Sequence, residues 1–478
     1  MRSLKIFFLR TAIICAGALV LAGCQTFSPD AGMGPVVTFS GHELGKNVAV
    51  IGSDDDALAA RNTVERLLKR PLTADTAVQI ALLNNRGLQA AYNELGIAEA
   101  AMVGASLPRN PSISLSRVAG SGEVEIERRI VADILALATL PARADIASDR
   151  FRQAQLRAIA ETMRVAVDAK RAYYRTVAAR EAIAFLEQAQ TAAASATQLA
   201  KRLGESGAMN KLDQAREQVF YADLTTQVAA TRQRAESDRE RLVRALGLWG
   251  NDLNFRLARA LPALPARPQA LPAVETDAIR RRIDLQIARI EVDALARSYG
   301  LSQATRFINM LDVAGVSKTT RPAEGETVNQ RGLEVEFQIP IFDFGEVRAR
   351  EAEQTYRQAV NRLIEKAVNV RSEAREAYRS YRAAYDIAAH YQREVLPLRK
   401  IVSDETLLRY NAMQIDVFAL LAEARQRIAA STAAIDARRD FWLADTALRM
   451  AVVGSNPAMT AGEPAATAVA ASGDAPGH

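Results

Sequence analysis

Residues 207–217 read Gly-Ala-Met-Asn-Lys-Leu-Asp-Gln-Ala-Arg-Glu, and residues 413–423 read Met-Gln-Ile-Asp-Val-Phe-Ala-Leu-Leu-Ala-Glu. Each stretch interrupts a long helical pattern and opens a second helix, and the two lie 206 positions apart (413 minus 207). A period of roughly 200 residues is far too long for one solenoid repeat, so it predicts duplication of a whole structural half. The chain therefore consists of two similar halves, each built around a helical hairpin.

Two strand-like segments precede the long helix of each half. In the first half these are residues 112–118 and a run in which Val124 and Ile126 alternate with Glu123, Glu125 and Glu127. An alternation of period two predicts a strand with one apolar and one polar face. In the second half we expect a strand over 307–313, a polar loop over 319–326 and the clearest strand of the chain over 332–341, where Glu334 and Glu336 alternate with apolar residues.

Helical periodicity predicts six long helices, over residues 73–106, 141–202, 210–248, 276–305, 346–409 and 416–452. At 1.5 Å per residue the helix over 141–202 is roughly 93 Å long, and the helices over 210–248 and 276–305 together reach roughly 103 Å. Each long helix is thus matched by two shorter ones placed end to end. Pro397 should kink the helix over 346–409, because proline lacks the N–H that the helix needs.

The long helix of the second half carries a heptad stripe, in which apolar residues recur in steps of four and three. This period indicates a left-handed coiled-coil seam, and its many alanines permit close helix packing. A plain two-stranded coiled-coil rod would show the same stripe and remains an alternative. The stripe consists of Tyr356, Val360, Leu363, Ala367, Val370, Ala374, Ala377, Tyr381, Ala384, Ala388, Tyr391, Val395 and Leu398.

The N-terminus carries a targeting segment. Arg2, Lys5 and Arg10 precede an apolar core too short to span a bilayer, and the segment ends in Leu-Ala-Gly-Cys24. This ending resembles the lipobox of bacterial lipoproteins, in which the cysteine becomes the acylated first residue. Cys15 lies inside the segment that would be removed, so Cys24 would be the one cysteine of the mature chain. The alternative is an ordinary secretory signal that happens to contain a cysteine.

Composition argues against catalysis and nucleic-acid binding. The formal charge of +6 includes three basic signal residues, which leaves the mature chain near +3 (6 minus 3), with bases scattered among acids. The chain has three histidines and no motif with metal-ligand spacing, phosphate-loop glycines or a nucleophile elbow. We therefore expect no enzyme activity, no cofactor and no resident metal.

The predicted organisation has six parts. In the N-terminal lead, residues 24–72, we expect the acidic residues 54–56 to form a solvated loop. The parts are a signal peptide at 1–23, an N-terminal lead at 24–72, a first repeat at 73–250, a connector at 251–275, a second repeat at 276–453 and a disordered tail at 454–478.

From these features the chain resembles the TolC-like outer-membrane efflux proteins, or outer-membrane factors, over about residues 70–452. The resemblance rests on Pro-Ile-Phe-Asp-Phe-Gly at 340–345, on the two helical tips, on Leu-Leu-Asn-Asn at 82–85 and on the order and spacing of the elements. No single motif decides it. In the first half, Leu140-Pro141 stands where a Pro-Ile-Phe-Asp type motif would be expected.

The resemblance implies a mainly helical fold with a small β part. In this family three protomers each give four strands to a 12-stranded outer-membrane β-barrel, and long antiparallel coiled-coil helices form a periplasmic α-barrel. The implied assembly is a homotrimer, bound to outer-membrane lipid and anchored by Cys24, whose tips meet a periplasmic adaptor joined to an inner-membrane pump. The implied adaptor-contact residues are Gly204, Gly207, Asn210, Tyr410, Met413 and Asp416.

Two departures from the family pattern concern the tips and the first hairpin. Met413 replaces the glycine of the second tip, so a turn with positive φ is not expected there, and Ala419 and Ala422 stand where some members carry gate aspartates. Asp416 is therefore interpreted as a helix N-cap. Arg128, Arg129 and Asp133 interrupt the alternation of the second strand, so this strand is expected to be short or distorted.

The strand glutamates suggest a cargo. If the apolar residues of the strands face lipid, the barrel lumen receives Glu123, Glu125, Glu127, Glu334 and Glu336. Such a lumen would favour cations such as metal ions or cationic drugs, although the carboxylates would also serve merely to keep a pore hydrated.

Three functions follow, and the sequence leaves them open. The first is a passive duct for small molecules, energised by a partner pump. The second is an export duct for secreted protein, and the third is a non-conducting outer-membrane lipoprotein that uses its helices as a periplasmic scaffold. The alternation at 332–341 favours a duct over a scaffold, because a scaffold has no need of a two-faced strand.

Overall fold

The computed structural model describes residues 27–120, 122–322 and 324–454. The predicted signal peptide, Cys24 and nearly all of the predicted tail fall outside these ranges. The described chain is mainly helical with one four-stranded sheet, which confirms the predicted fold class. None of its helices is both long and apolar enough to cross a bilayer.

The elements follow the same order in both halves, with two helices, a β-hairpin, a long helical segment, a tight turn and a returning helix. A short N-terminal part precedes the first half. The helices are α1 Gly34–Phe39, α2 Asp54–Leu68, α3 Ala74–Asn84, α4 Arg86–Ser106, α5 Ile134–Ala138, α6 Leu140–Glu205, α7 Lys211–Leu246, α8 Val274–Arg281, α9 Ile283–Ala304, α10 Glu346–His390, α11 Leu396–Asn411 and α12 Val417–Val453. The strands are β1 Ser112–Gly120, β2 Glu123–Asp133, β3 Met310–Pro322 and β4 Val328–Gln338.

The sheet is antiparallel throughout, in the order β1-β2-β3-β4. Each half contributes one hairpin, and β2 of the first half pairs with β3 of the second along its whole length. The sheet thus joins the two halves, as expected if both hairpins contribute to one continuous sheet.

Three expectations about the strands were wrong. The strand β3 runs on to Pro322 through the segment predicted as a polar loop, because its pairing with β2 and β4 supplies partners for these backbone groups. The strand β4 begins at Val328 and ends at Gln338, so the last residues of the alternation follow the strand. The strand β2 is neither short nor distorted, because Arg128 and Arg129 pair in register on both sides.

Two helices predicted as continuous are divided by one extended residue each. Asn85 (ψ 112°) separates α3 from α4, and Arg282 (ψ 122°) separates α8 from α9. At the first break, Nδ2 of Asn85 donates to the carbonyl of Ala245 at 3.3 Å, and Nδ2 of Asn84 donates to the carbonyl of Gly247 at 2.6 Å. These partners lie about 160 residues away along the chain, so the local helical pattern carries no sign of them.

The acidic run at 54–56 is the first turn of α2 and not a loop. Ser53 caps this helix, with its hydroxyl accepting from the Asp56 N–H at 3.2 Å, while the Asp56 carboxylate accepts from the Ser53 N–H at 3.1 Å. This reciprocal pair is a capping box, and acids in the first turn are favoured by the helix dipole.

The long helix of the second half changes form before Pro397. A π-helical turn over Tyr391–Val395 separates α10 from α11, and Pro397 lies in the first turn of α11. Proline removes a backbone donor and crowds the preceding turn, and a π turn is one way for a helix to accommodate this. The disturbance expected at Pro397 therefore takes the form of a wider helical turn.

The chain divides into two compact units, each made of separate stretches. Of the described residues, the first contains 27–36, Ala91–Ala158 and Leu285–Lys366, with the sheet and the helical segments next to it. The second contains Val37–Ala90, Ile159–Asp284 and residues 367–454, with both helical tips. In this second unit Tyr381, Tyr385 and Trp442 hydrogen-bond to the backbone of the proline-rich connector at Gln269, Pro265 and Pro262.

Candidate functional site

The five predicted glutamates lie on one face of the sheet. Cross-strand partners point to the same side in an antiparallel sheet, and the register pairs Glu334 with Ala314, and Ala314 with Val131. Val131 is an even number of positions from Glu123, Glu125 and Glu127 along β2. The same face carries Ser112, Ser114, Ser116, Val118, Arg129, Asp133, Asp312, Val316, Lys318, Thr320, Gln330, Gly332 and Glu336.

This polar face also contains bases that pair with the glutamates. Arg129 Nη2 lies 3.2 Å from a Glu334 oxygen and 3.6 Å from a Glu336 oxygen. Lys318 Nζ lies 2.7 Å from a Glu125 oxygen. With seven acids against two bases on its strands, the face keeps a formal charge of −5 per protomer. The predicted acidic character therefore persists in weakened form.

Sequence reasoning missed both bases as partners of these glutamates. Arg129 was seen only as an interruption of the pattern, and Lys318 was not assigned to a face, because its strand was predicted to end before it. The only signal in the sequence was that Arg129 lies an even number of positions from the glutamates of its own strand, which places it on the same face as they are. Exposure of these residues to a pore lumen stays a prediction.

The opposite face of the sheet, called the apolar face below, is exposed and apolar in its half next to the helices, and toward the hairpin turns it carries Arg117, Arg128, Arg321 and Arg331. Its side chains alternate with those of the polar face and include a leucine that is 83% exposed at the middle of β4. Exposed apolar patches of this kind mark contact with a membrane or another protein. The apolar set is Ile113, Leu115, Ile130, Leu333, Val335 and Phe337.

The two helical tips have the same backbone hydrogen bonds. The first tip has bonds from Gly207 N–H to the Gly204 carbonyl (3.1 Å) and from Ala208 N–H to the Leu203 carbonyl (2.8 Å). At the second tip, Met413 N–H donates to the Tyr410 carbonyl and Gln414 N–H to the Arg409 carbonyl, both at 2.9 Å. Both are Schellman turns, in which the residue after the C-cap is left-handed.

The expectation that Met413 would prevent a positive-φ turn was wrong. Its φ is +56°, against +76° for Gly207. Asp416 caps α12 by accepting from Ala419 N–H at 2.9 Å, and Asn210 caps α7 by accepting from Asp213 N–H at 2.9 Å, so the N-cap prediction for Asp416 is confirmed. Each cap lies three positions after the left-handed residue, and this shared spacing was the signal for the second turn.

The tip region contains a buried ion pair between α7 and α12. Arg425 Nη2 lies 2.8 Å from Glu217, whose side chain is almost fully buried, and the Arg425 guanidinium stacks 4.4 Å from the Phe220 ring centroid. Burial raises the pKa of the Glu217 carboxyl, and Arg425 opposes this shift. The contact joins the second helix of one hairpin to the second helix of the other.

Replacing Met413 by glycine should stabilise the second tip. An L-residue in the left-handed region costs about 1 kcal/mol that glycine avoids. We expect amide hydrogen exchange at residues 413 and 414 to slow about fivefold, the factor that corresponds to this free energy. Met413→Ala is the matched control because it removes the side chain and keeps the Cβ. Equal exchange in Met413→Gly and Met413→Ala would show that the backbone there is not strained.

No group of three or more histidine, cysteine or acidic side chains in the described ranges is arranged to hold a metal ion. Cys24, the predicted lipidation site, lies outside those ranges. The geometry thus presents three surfaces, a polar acidic sheet face, an apolar sheet face and a pair of matching helical tips.

Comparison with known proteins gives a family match over part of the chain and a shared fold. A family model described as outer membrane efflux protein matches residues 275–403. The search of curated proteins found no match. Among solved structures, CusC is 16% identical (TM-score 0.66, 82% of this chain and 92% of that chain), and OprN is 18% identical (TM-score 0.67, 82% and 92%). The CmeC outer-membrane channel of Campylobacter jejuni is 15% identical (TM-score 0.64, 83% and 85%).

Proposed function

We propose that this chain, whose residues 275–403 match the outer membrane efflux protein family and whose fold is that of the TolC-like outer-membrane channels, is the outer-membrane channel component of a tripartite efflux system. It acts as a passive homotrimeric duct, and a periplasmic adaptor and an inner-membrane pump deliver its cargo. It is not an enzyme, because the duct supplies a path and no chemistry.

The two-faced sheet carries this proposal. Its strands have 9, 11, 13 and 11 residues, and about 9–11 residues are enough for a tilted strand to cross a bilayer. One face is apolar over its half next to the helices and the other face is polar, and a barrel wall with lipid outside and water inside has this asymmetry. Three copies of four strands would close a 12-stranded barrel.

The cargo proposal rests on the charge of the polar face. Three protomers with a net formal charge of −5 each would surround one lumen, and a channel lined by one sign of charge concentrates counter-ions. The duct therefore favours small cationic molecules or metal ions. The pairs of Arg129 and Lys318 with glutamates weaken this preference but leave a clear excess of acids.

The membrane anchor and the adaptor contacts complete the proposal. Acyl chains on Cys24 would anchor the protein in the outer membrane, with the helices extending into the periplasm. The matched turns at Gly204, Gly207, Asn210, Tyr410, Met413 and Asp416 would meet the adaptor. Two tips with the same Schellman hydrogen bonds in each protomer offer a trimer six similar contact positions, which supports a partner that binds both kinds of tip.

Planar-bilayer recording of the purified protein tests the duct and its cargo. We expect discrete pores with a cation-selective reversal potential in a salt gradient, formed by particles that show threefold symmetry in electron microscopy. Glu334→Gln with Glu336→Gln reduces the formal charge from −5 to −3 per protomer, so selectivity should fall. Pores with unchanged selectivity would remove the cation proposal alone. Monomeric rods without pores would remove the duct and favour the scaffold.

A further inference from the structure

Three exposed phenylalanines lie where the second hairpin joins the helices, two in the turn after β4 and one just before β3. In the turn Pro340–Gly345, Phe342 is 97% exposed and Phe344 is 57% exposed, and the neighbouring Phe307 is 61% exposed. Phe344 has a φ of +46°, a conformation that is a genuine outlier for a bulky residue. A solvent-exposed aromatic ring at a strained position gains nothing in water. The rings therefore have a partner that the isolated protomer lacks.

The surrounding contacts hold the turn rigidly. Phe344 N–H donates to the Pro340 carbonyl at 2.8 Å, and its own carbonyl accepts from Arg306 Nε at 2.8 Å. Gly345, also left-handed, packs so closely on Arg306 that a Cβ there would lie 2.2 Å from the Arg306 carbonyl oxygen. These contacts fix the backbone of the turn, so the exposed rings of Phe342 and Phe344 are held in one position.

Two arginines beside the rings have no carboxylate partner. Arg306 has its guanidinium 5.5 Å from the Phe307 ring centroid, and Arg348 Nη2 donates to the Thr305 carbonyl at 2.7 Å. Within the described residues neither guanidinium forms an ion pair with an acid, whereas Arg350 nearby pairs with Glu346. An arginine that uses one N–H on a backbone carbonyl keeps most of its donors, and a planar guanidinium matches a phosphate well.

The position of this cluster in the sheet identifies the partner. The rings lie at the end where the strands join the helices and follow directly on the exposed apolar face that includes Phe337. Girdles of aromatic residues flank the apolar band of outer-membrane barrels, and long cationic side chains at that boundary reach toward the lipid phosphates. The corresponding place in the first half has Leu107 and Leu137 and no aromatic residue.

We propose that Phe307, Phe342 and Phe344 with Arg306 and Arg348 form a lipid-binding collar that seats in the headgroup layer of the leaflet on the helical side and binds anionic phospholipid there. The inference rests on the proposed function, because it requires the sheet to cross a bilayer. It adds a lipid class and a set of residues: the rings fix the depth of the sheet, and the two guanidiniums bind the lipid phosphate. Three protomers would carry three such collars.

Depth-dependent fluorescence quenching tests the position of the rings. Phe342→Trp and, as a reference, Leu333→Trp are inserted into phosphatidylethanolamine–phosphatidylglycerol vesicles with bromine either near the headgroup or near the acyl-chain ends, after subtraction of the signal of Trp249 and Trp442. We expect the headgroup-proximal bromine to quench the tryptophan at 342 more strongly, and the deep bromine to quench that at 333. Quenching at 333 without shallow quenching at 342 would overturn the collar. Quenching at neither position would overturn the membrane-spanning sheet itself.

Lipid retention tests the two arginines. Trimers released from vesicles of equal phosphatidylethanolamine and phosphatidylglycerol are weighed by native mass spectrometry. Arg306→Gln and Arg348→Gln should each lower bound phosphatidylglycerol about fivefold, the effect of one basic residue at an anionic surface. Arg202→Gln is the matched control, because Arg202 is exposed and lies in the last turn of α6, at the first helical tip and outside the sheet. An equal loss in the control, or no loss in either variant that still forms trimers, would overturn the lipid site.

Discussion

Replacing Leu333 by arginine should prevent stable insertion of the sheet into a bilayer. Leu333 lies at the middle of β4 on the apolar face and is 83% exposed in the protomer. In water this substitution would cost almost nothing, because the leucine has few contacts to lose. An arginine at the midplane of a membrane strand costs about 2–4 kcal/mol, and a trimer bears that cost in every protomer. We expect the urea midpoint for unfolding from lipid vesicles to fall sharply and the assembled trimer to be depleted.

The matched control is Gln330→Arg. Gln330 lies three positions earlier in β4, on the polar face opposite Lys318, so its substitution places the same charge in the aqueous lumen. We expect this variant to insert like the parent protein and to change only ion selectivity. If Leu333→Arg and Gln330→Arg behave alike, the apolar face does not contact lipid and the scaffold becomes the better proposal.

Removing Arg282 should cause the largest loss of stability in the helical part. Arg282 is 2% exposed at the break between α8 and α9. Its Nε and Nη2 donate to Asp284 at 3.0 and 2.9 Å, and its Nη1 donates to Glu373 and to the Ala451 carbonyl. Burial lowers the pKa of the guanidinium, but the hydrogen bonds to Asp284 and the charges of Asp284 and Glu373 raise it overall. It is charged throughout the physiological range.

Arg282→Met should therefore cost about 3–5 kcal/mol, because it leaves the buried Asp284 without its partner. The adjacent Arg281→Met is a close control. Arg281 pairs with Glu43 at 2.6 Å, but 46% of its side chain is exposed, and an exposed pair contributes at most about 1 kcal/mol. Urea unfolding of the detergent-solubilised protein followed by circular dichroism compares the two. Equal shifts of the midpoint would show that the Arg282 cluster does not hold the break.

The elements that local patterns specify were predicted from the sequence. The alternation in β2 and β4, the helical segments and the cap at Asp416 depend on residues close together in the chain, and the structure has these features, with breaks in some of the helices. The same residues carried the resemblance to the TolC-like channels, which the family match and the shared fold confirm.

The errors have a common cause in contacts over long sequence distances. The breaks at Asn85 and Arg282 depend on partners about 160 residues away in one case and 91 to 169 residues away in the other. The extension of β3 to Pro322 depends on its pairing with β2. A local window contains none of these partners, so it predicts continuous helices and an early loop.

The sequence by itself determined that the chain has two similar halves with long helices and alternating strands, because periodicity is a local property of the chain. The tertiary structure alone decided which side chains of different strands and turns meet on each face. The pairing of the strands brought Arg129 within ion-pair distance of Glu334, and Lys318 within ion-pair distance of Glu125, which reduced the charge of the polar face. The packing of Arg306 on the 340–345 turn held Phe342 and Phe344 in exposed positions. Such pairings arise only when segments distant in sequence are brought together, and hydrogen bonds and charges then act between them.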